Sequence, residues 1–307
     1  MWNFSLLAAT RSIETSMPFV LYRFMVYLGI SLALLFGTLA GAGTLIAFSS
    51  FSAKPTALAS VGAVLGFAGL AYLLYKFRGS ALFNAQAGTL ALLVEQTRVA
   101  KLPEGKAQIE FAKKAAAERF TPSSFVQVGS ALGQALQALP TPPCPMLERT
   151  GNPTLTQAGK WLSGFLSRLC GPAIMALNFA DAAAANPWRS AERGLVIHAA
   201  HSEALLKYRL YGLLFELASL AAAFVLMLYP VNYFISLLPV DVGFWRYVFA
   251  LAFAGTLEGA FFNPIVTAAM AQLYLAQDKN LGQDVSTQVA ALAEHNEAIR
   301  LIHEKAD

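Results

Sequence analysis

The sequence predicts an all-α polytopic membrane protein with four transmembrane helices, set out as two hairpins around a helical cytoplasmic region. Three observations carry that prediction. The first is charge-free length. The 30 residues between Arg23 and Lys54, and the 21 between Lys54 and Lys76, hold no Asp, Glu, Lys or Arg. Two later runs hold a single charge each: Glu216 between Arg209 and Asp241, and Glu258 between Tyr247 and Gln277. A spanning helix needs roughly 20 predominantly apolar residues at a rise of about 1.5 Å each, so all four runs qualify. The second is composition: 56% hydrophobic and 13% charged, with a mean hydropathy of +0.52, against about 25% charged in soluble domains. The third is the placing of Lys and Arg. One set of short loops offers Lys54, with Arg246 just past Phe244, while Arg11, Arg23, Lys76, Arg78, Lys207, Arg209 and Lys279 flank the other side. The positive-inside rule then places both termini and the middle region in the cytoplasm, and the inner (plasma) membrane is the expected location.

Taken in order, residues 1–17 mix Trp2, Phe4, Leu6 and Leu7 with Arg11 and Glu14 and read as an interfacial N-terminal segment. They lack the basic, apolar, small-residue order of a signal peptide. The first hairpin covers 18–76: a span over 18–48, a turn over Ser49–Pro55 and a span over 56–76. Residues 77–207 form the helical cytoplasmic or membrane-surface region. Within it, Glu104–Phe120 carries an apolar stripe of Ile109, Phe111, Ala112 and Ala116, and the run P-T-P-P-C-P at 140–145 is a linker. Leu155–Leu169 is amphipathic, with Trp161, Leu162, Phe165, Leu166 and Leu169 on one face. Such a face suits either docking on a membrane surface or packing within the protein. Asn186-Pro187 opens a further helix that runs to Tyr208. The second hairpin covers 208–275: spans over 208–235 and 244–273, Pro230 ending or kinking the first, Pro264 inside the second, and Phe244, Trp245 and Tyr247 forming an interfacial aromatic belt. Residues 276–307 form a cytoplasmic C-terminal helix. Val285, Val289, Leu292, Asn296, Ile299 and His303 give it a heptad seam, suited to pairing subunits or to packing on its own protein.

The two hairpins share a spacing. Tyr22-Arg23 recurs as Tyr208-Arg209, and L-G-F-A-G at 65–69 recurs as L-A-F-A-G at 251–255, both 186 residues on. Duplication and chance similarity of apolar sequence both account for it.

Other function classes find little support. The net charge of +4 suits anionic lipid better than a nucleic-acid groove, so the bilayer is the expected partner, with protein partners or self-association through the cytoplasmic helices. Cys144 and Cys170 have no metal-ligand spacing. His198 and His201 lack a third ligand and read as part of a surface helix. No phosphate loop, dinucleotide fingerprint or nucleophile elbow occurs, so neither cofactor nor catalytic group is expected.

The residues best suited to chemistry are Glu258, Asn263 and Glu216. An ionisable group inside a span costs roughly 2.5–3.5 kcal/mol on insertion scales and usually faces a cavity or a partner. Glu258 lies several turns into its span. Pro264 frees a carbonyl near Ala260, and Asn263 offers an amide close by. Together they suit a cation or proton site, or a carboxyl satisfied by neighbouring helices. Glu216, two turns beyond Arg209, suits the same site or a contact at the cytoplasmic interface.

The stretch N-P-W-R-S-A-E-R-G-L-V-I-H-A-A at 186–200, the third span, and F-F-N-P-I-V-T-A-A-M-A-Q-L-Y-L-A-Q-D-K-N at 261–280 together resemble the C-terminal part of choline-transporter-like membrane proteins. The resemblance implies membrane transport, although those proteins have more spans than the four read here. The expected function is passage or handling of a small or amphiphilic solute, with a non-catalytic membrane subunit or scaffold as the rival.

Overall fold

The computed structural model describes residues 4–48, 55–99, 101–139, 152–181, 186–237, 243–282, 285–294 and 296–306. It is 89% helix, with no strand among the described residues. The helices are α1 (Leu6–Glu14), α2 (Met17–Ala47), α3 (Pro55–Glu95), α4 (Lys106–Arg119), α5 (Pro122–Ala138), α6 (Pro153–Arg168), α7 (Gly171–Ala180), α8 (Pro187–Ser236), α9 (Trp245–Leu257), α10 (Asn263–Asp278), α11 (Val285–Ala293) and α12 (Glu297–Ala306). A π turn, Glu258–Phe262, joins α9 to α10. Among the described residues, four helical runs are long and apolar enough to cross a membrane: Met17–Ala47, Ala57–Glu95, Pro187–Ser236 and Trp245–Asp278. The Ser49–Pro55 turn, apart from Pro55, and the proline-rich run at 140–145 with Cys144 lie outside the described residues, as does Trp2.

The chain packs as two units. One comprises Met1–Phe19, Gln86–Glu216 and Asn263–Asp307; the other comprises Val20–Ala85 and Leu217–Phe262. In the first, local sequence sets the helix starts. Ser5 Oγ accepts from the Ala8 amide, Thr121 and Ser124 cap α5 reciprocally, and Asn152 Oδ1 accepts from the Thr154 amide. Asn186 Oδ1 accepts from the Trp188 amide, with Pro187 in the first turn of α8. The unit is tied by charge at the ends of its helices. Arg193 on α8 pairs with Asp181, which closes α7, and with Asp278, which ends α10. His303 on α12 bonds Glu192 at 2.6 Å, and Asn186 and Arg189 donate to the carbonyl of Ala306.

The second unit packs in two ways. α2 and α3 meet through glycine in antiparallel register, Gly37 opposite Gly66 and Gly41 opposite Gly62. A Cβ on Gly41 would fall 2.2 Å from the Gly62 carbonyl oxygen, and one on Gly66 would fall 2.2 Å from that of Gly37. Only glycine lets the backbones approach so closely. Elsewhere the unit is filled by Val231, Trp245, Phe249 and Ala250 with Ala63, and Phe67 lies 5.6 Å from the Trp245 ring.

Several expectations are corrected. Lys76 and Arg78, where the second span was expected to end, do not end its helix: α3 continues to Glu95, since charge alone does not break a helix. Pro230 does not end the third either, because α8 runs on to Ser236. Its break falls at His201, where φ is −129° and ψ 24°. The tail seam is not one helix. α11 stops at Ala293, and Asn296, read as a polar position within a seam, caps α12 by accepting from the amides of Ala298 and Ile299. α6 buries Gly159, Ser163, Leu166 and Ser167, while Trp161 is 66% exposed and stacks on Phe165. The glycines of the α2–α3 contact do not recur at the 186-residue spacing. The counterparts of Gly37, Gly41, Gly62 and Gly66 are Ala223, Met227, Val248 and Ala252, and the counterpart of the π turn lies in regular α3.

The glycine contact makes a sharp test. Gly41→Ile should lower the unfolding temperature in detergent, since overpacking a tight contact costs about 1–3 kcal/mol. Gly43→Ile, on the same helix but with nothing within 4 Å of its Cβ, should leave it nearly unchanged. Equal stability of the two variants would remove the glycine contact as the basis of α2–α3 packing.

Candidate functional site

Pro264 organises the polar residues of the fourth span. Proline has no N–H, so it cannot close the helical hydrogen bond to a carbonyl one turn back. In an α register that carbonyl belongs to Ala260; in the wider register of the Glu258–Phe262 π turn it belongs to Gly259. Arg23 on α2 supplies the missing donor: its Nε lies 2.7 Å from the Gly259 carbonyl. Its Nη1 donates to the carbonyl of Ala85 on α3 at 3.3 Å. The guanidinium also lies over the ring of Tyr27, 5.5 Å from its centroid, and that ring packs on Gly259, where a Cβ would come within 2.6 Å. One turn of helix further, Ser31 Oγ lies 2.7 Å from Thr256 Oγ1 and donates to the carbonyl of Ala252. Arg23 is almost wholly buried.

Glu258 opens the π turn. Its Oε2 accepts from Ser219 Oγ on α8 at 2.7 Å, so the carboxyl is turned to a neighbouring helix. In the other unit, Glu216 Oε2 pairs with Arg209 Nη2 at 2.9 Å, and its Oε1 accepts from Asn263 Nδ2 at 3.1 Å. Arg209 and Glu216 are seven residues apart on α8, two turns, which places them on one face. Their side chains are 5% and 12% exposed. Arg209 Nε and Nη1 are buried with no hydrogen-bond partner among the described residues. Gly212 makes room for the pair, as a Cβ there would meet Arg209 Nη1 at 3.0 Å and Val266 Cγ1 at 2.5 Å. Of the three residues singled out in the sequence, Glu216 and Asn263 are thus brought together, while Glu258 bonds to Ser219 in the other unit.

Sequence reasoning passed over Arg23 and Ser219. For Arg23 a signal existed: an arginine at the edge of a 30-residue charge-free run needs a partner in the protein or the headgroups.

His198 is the clearest correction. It is not on a surface but wholly buried. Nε2 lies 3.1 Å from Ser167 Oγ and Nδ1 lies 2.7 Å from Tyr274 Oη, and the His198 and Tyr274 rings are nearly parallel. The Cys170 thiol, by contrast, donates from Sγ to the Leu166 carbonyl. Burial pushes the Cys170 thiol up to about 11, with Arg209 and Tyr274 opposing only in part. A neutral, enclosed thiol is a packing group and not a nucleophile. No group of three or more His, Cys, Asp or Glu placed to hold a metal ion occurs among the described residues.

No protein-family profile, characterised protein or solved structure matches this chain.

The Arg209–Glu216 pair sets up a charge test. Arg209→Met strands a largely buried carboxylate and should cost about 3–5 kcal/mol in thermal unfolding. Adding Glu216→Leu should recover most of that loss. Equal losses in the single and double variants would show that shape, and not charge, governs this contact.

Proposed function

We propose that this chain is a multi-pass inner-membrane protein that passes or handles a small or amphiphilic solute. On this reading its four spans form two hairpins with both termini and the 77–207 region in the cytoplasm, and Glu258 is the ion-responsive group. The supporting observation is the company Glu258 keeps. A carboxyl, a hydroxyl and a broken helix backbone held by a buried arginine fall within one span and its neighbours. Ionisable groups within a span are costly in lipid, and they often mark a pathway or a relay. π turns are frequent at functional sites because they re-aim side chains and leave carbonyls available. The resemblance of 186–200 and 261–280 to choline-transporter-like proteins points the same way, toward transport. Most of the charged residues of 186–200, however, have local structural partners: Arg193 with Asp181 and Asp278, Arg189 with Ala306, and Glu192 with His303.

One observation favours the scaffold reading. Trp161 stacks on Phe165 yet remains 66% exposed, an aromatic surface of the kind that anchors protein partners. Under that reading Glu258 and Ser219 serve packing alone.

Two measurements decide these points. Glu258→Gln keeps shape and hydrogen bonding but removes the titrating charge. In liposomes loaded with a pH-sensitive dye, the parent should dissipate an imposed pH gradient and Glu258→Gln should lose that flux, with helix content unchanged. Equal dissipation by both, or none by the parent, sinks the ion-site reading and favours the scaffold. For topology, Cys170 is too buried to report a side. In a cysteine-free background, Leu237→Cys should react with an impermeant maleimide in intact cells, and Lys101→Cys only after the membrane is opened. The reverse pattern inverts the orientation.

A further inference from the structure

A cleft of about 490 Å³ lies where α1 gives way to α2. Its walls include Pro18 in the first turn of α2, Val99 and Leu102 beyond α3, and Arg11, Lys101 and Glu104. Two amides brace it. Gln96 Nε2 donates to the Ser12 carbonyl at 2.7 Å and to Ser16 Oγ at 3.1 Å. Gln108, almost wholly buried, accepts from the Phe19 amide and donates to the carbonyls of Thr15 and Pro103. The cleft is therefore built by cross-chain hydrogen bonds and is not a gap between loose loops.

Its charge and its position define what it takes. Lys101 pairs with Glu104 at 2.8 Å, both strongly exposed, so those two charges offset. Arg11 makes no ion pair among the described residues and leaves the cleft one net positive charge. Pro18 precedes Phe24, the start of the charge-free run, by six residues, about 9 Å of helix. The headgroup layer lies just outside the hydrocarbon core on each face of a bilayer, so where the charge-free run marks hydrocarbon, the residues just before it along the chain belong to that layer. Leu7, one turn before Arg11 on the same face of α1, is 67% exposed. An apolar side chain beside a free cation is the pattern of a helix lying in the interface, with carbon toward acyl chains and charge toward phosphate.

We infer that this cleft binds the headgroup of a monoanionic phospholipid, with the phosphodiester on Arg11 and the glycerol region against Pro18, Val99 and Leu102. A soluble phosphate would meet the same cation but would leave the apolar wall and Leu7 without a role. The inference does not depend on solute passage, since Arg11 and Glu258 share no contact that either assignment uses.

The test is lipid retention by the full chain in detergent, followed by native mass spectrometry. Phosphatidylglycerol, phosphatidylcholine of the same acyl chains, and inorganic phosphate are the three probes. The parent should hold one phosphatidylglycerol more tightly than phosphatidylcholine, and Arg11→Ala should weaken that binding about fivefold, the usual effect of one basic side chain near an anionic surface. Val99→Trp should block the cleft by volume with every charge intact, which keeps the test valid if Arg11→Ala folds poorly. Millimolar inorganic phosphate should displace nothing. Unchanged retention in Arg11→Ala or Val99→Trp, or displacement by inorganic phosphate, would overturn the assignment. Dye-flux results for Glu258→Gln bear on neither outcome.

Discussion

Arg23 ties three helices of the membrane-spanning sequence together. From α2 it reaches the carbonyl of Ala85 on α3 and that of Gly259 in the π turn. The underlying constraint is that a hydrocarbon environment offers no water, so each polar group freed from a helix must be met by the protein itself. Pro264 frees a carbonyl, and Arg23 meets it. The exchange also serves the arginine, whose burial would otherwise be among the most costly in the chain. Break and cation are thus complementary: each makes the other tolerable.

Around this tie, packing is divided by chemistry. In apolar surroundings the hydrophobic effect does not drive helix to helix, and association rests on close van der Waals contact and interhelical hydrogen bonds. The two solutions are both present. Gly37, Gly41, Gly62 and Gly66 bring backbones together, while Ser31 and Thr256 pair across α2 and α9. The first unit is held differently. Arg193 pairs with Asp181 and Asp278 at helix ends, Arg209 with Glu216 along α8, and the core around Ile174, Leu177, Leu195 and Ile197 is buried.

What could be read from the sequence follows from how far apart the partners lie. Spans are one-dimensional features, so charge-free length reveals four of them without knowledge of any contact. Glu216 and Arg209 lie on one helix two turns apart, so their pairing was within reach of periodicity. His198 was not. Its partners Ser167 and Tyr274 are 31 and 76 residues away, and nothing local distinguishes a buried histidine from an exposed one. The tail shows the opposite failure. A spacing of fours and threes suggested a seam, but Asn296 competes for backbone amides and starts a new helix instead. Among the polar residues of the fourth run, the sequence singled out Glu258 and Asn263 beside the proline. Which atoms meet was set by the π register, which no hydropathy pattern encodes.

The π turn at Glu258–Phe262 has a consequence for how this sequence can change over generations. Such a turn holds one residue more than the α-helix it interrupts. Each residue of an α-helix rotates the chain by about 100°. Loss of a single codon within 258–262 would return this turn to ordinary α register and rotate the residues just after the deletion by about that angle relative to those just before it. A substitution here changes one contact, whereas a one-residue deletion changes the register of the whole turn. The length of this segment is therefore under tighter constraint than its composition.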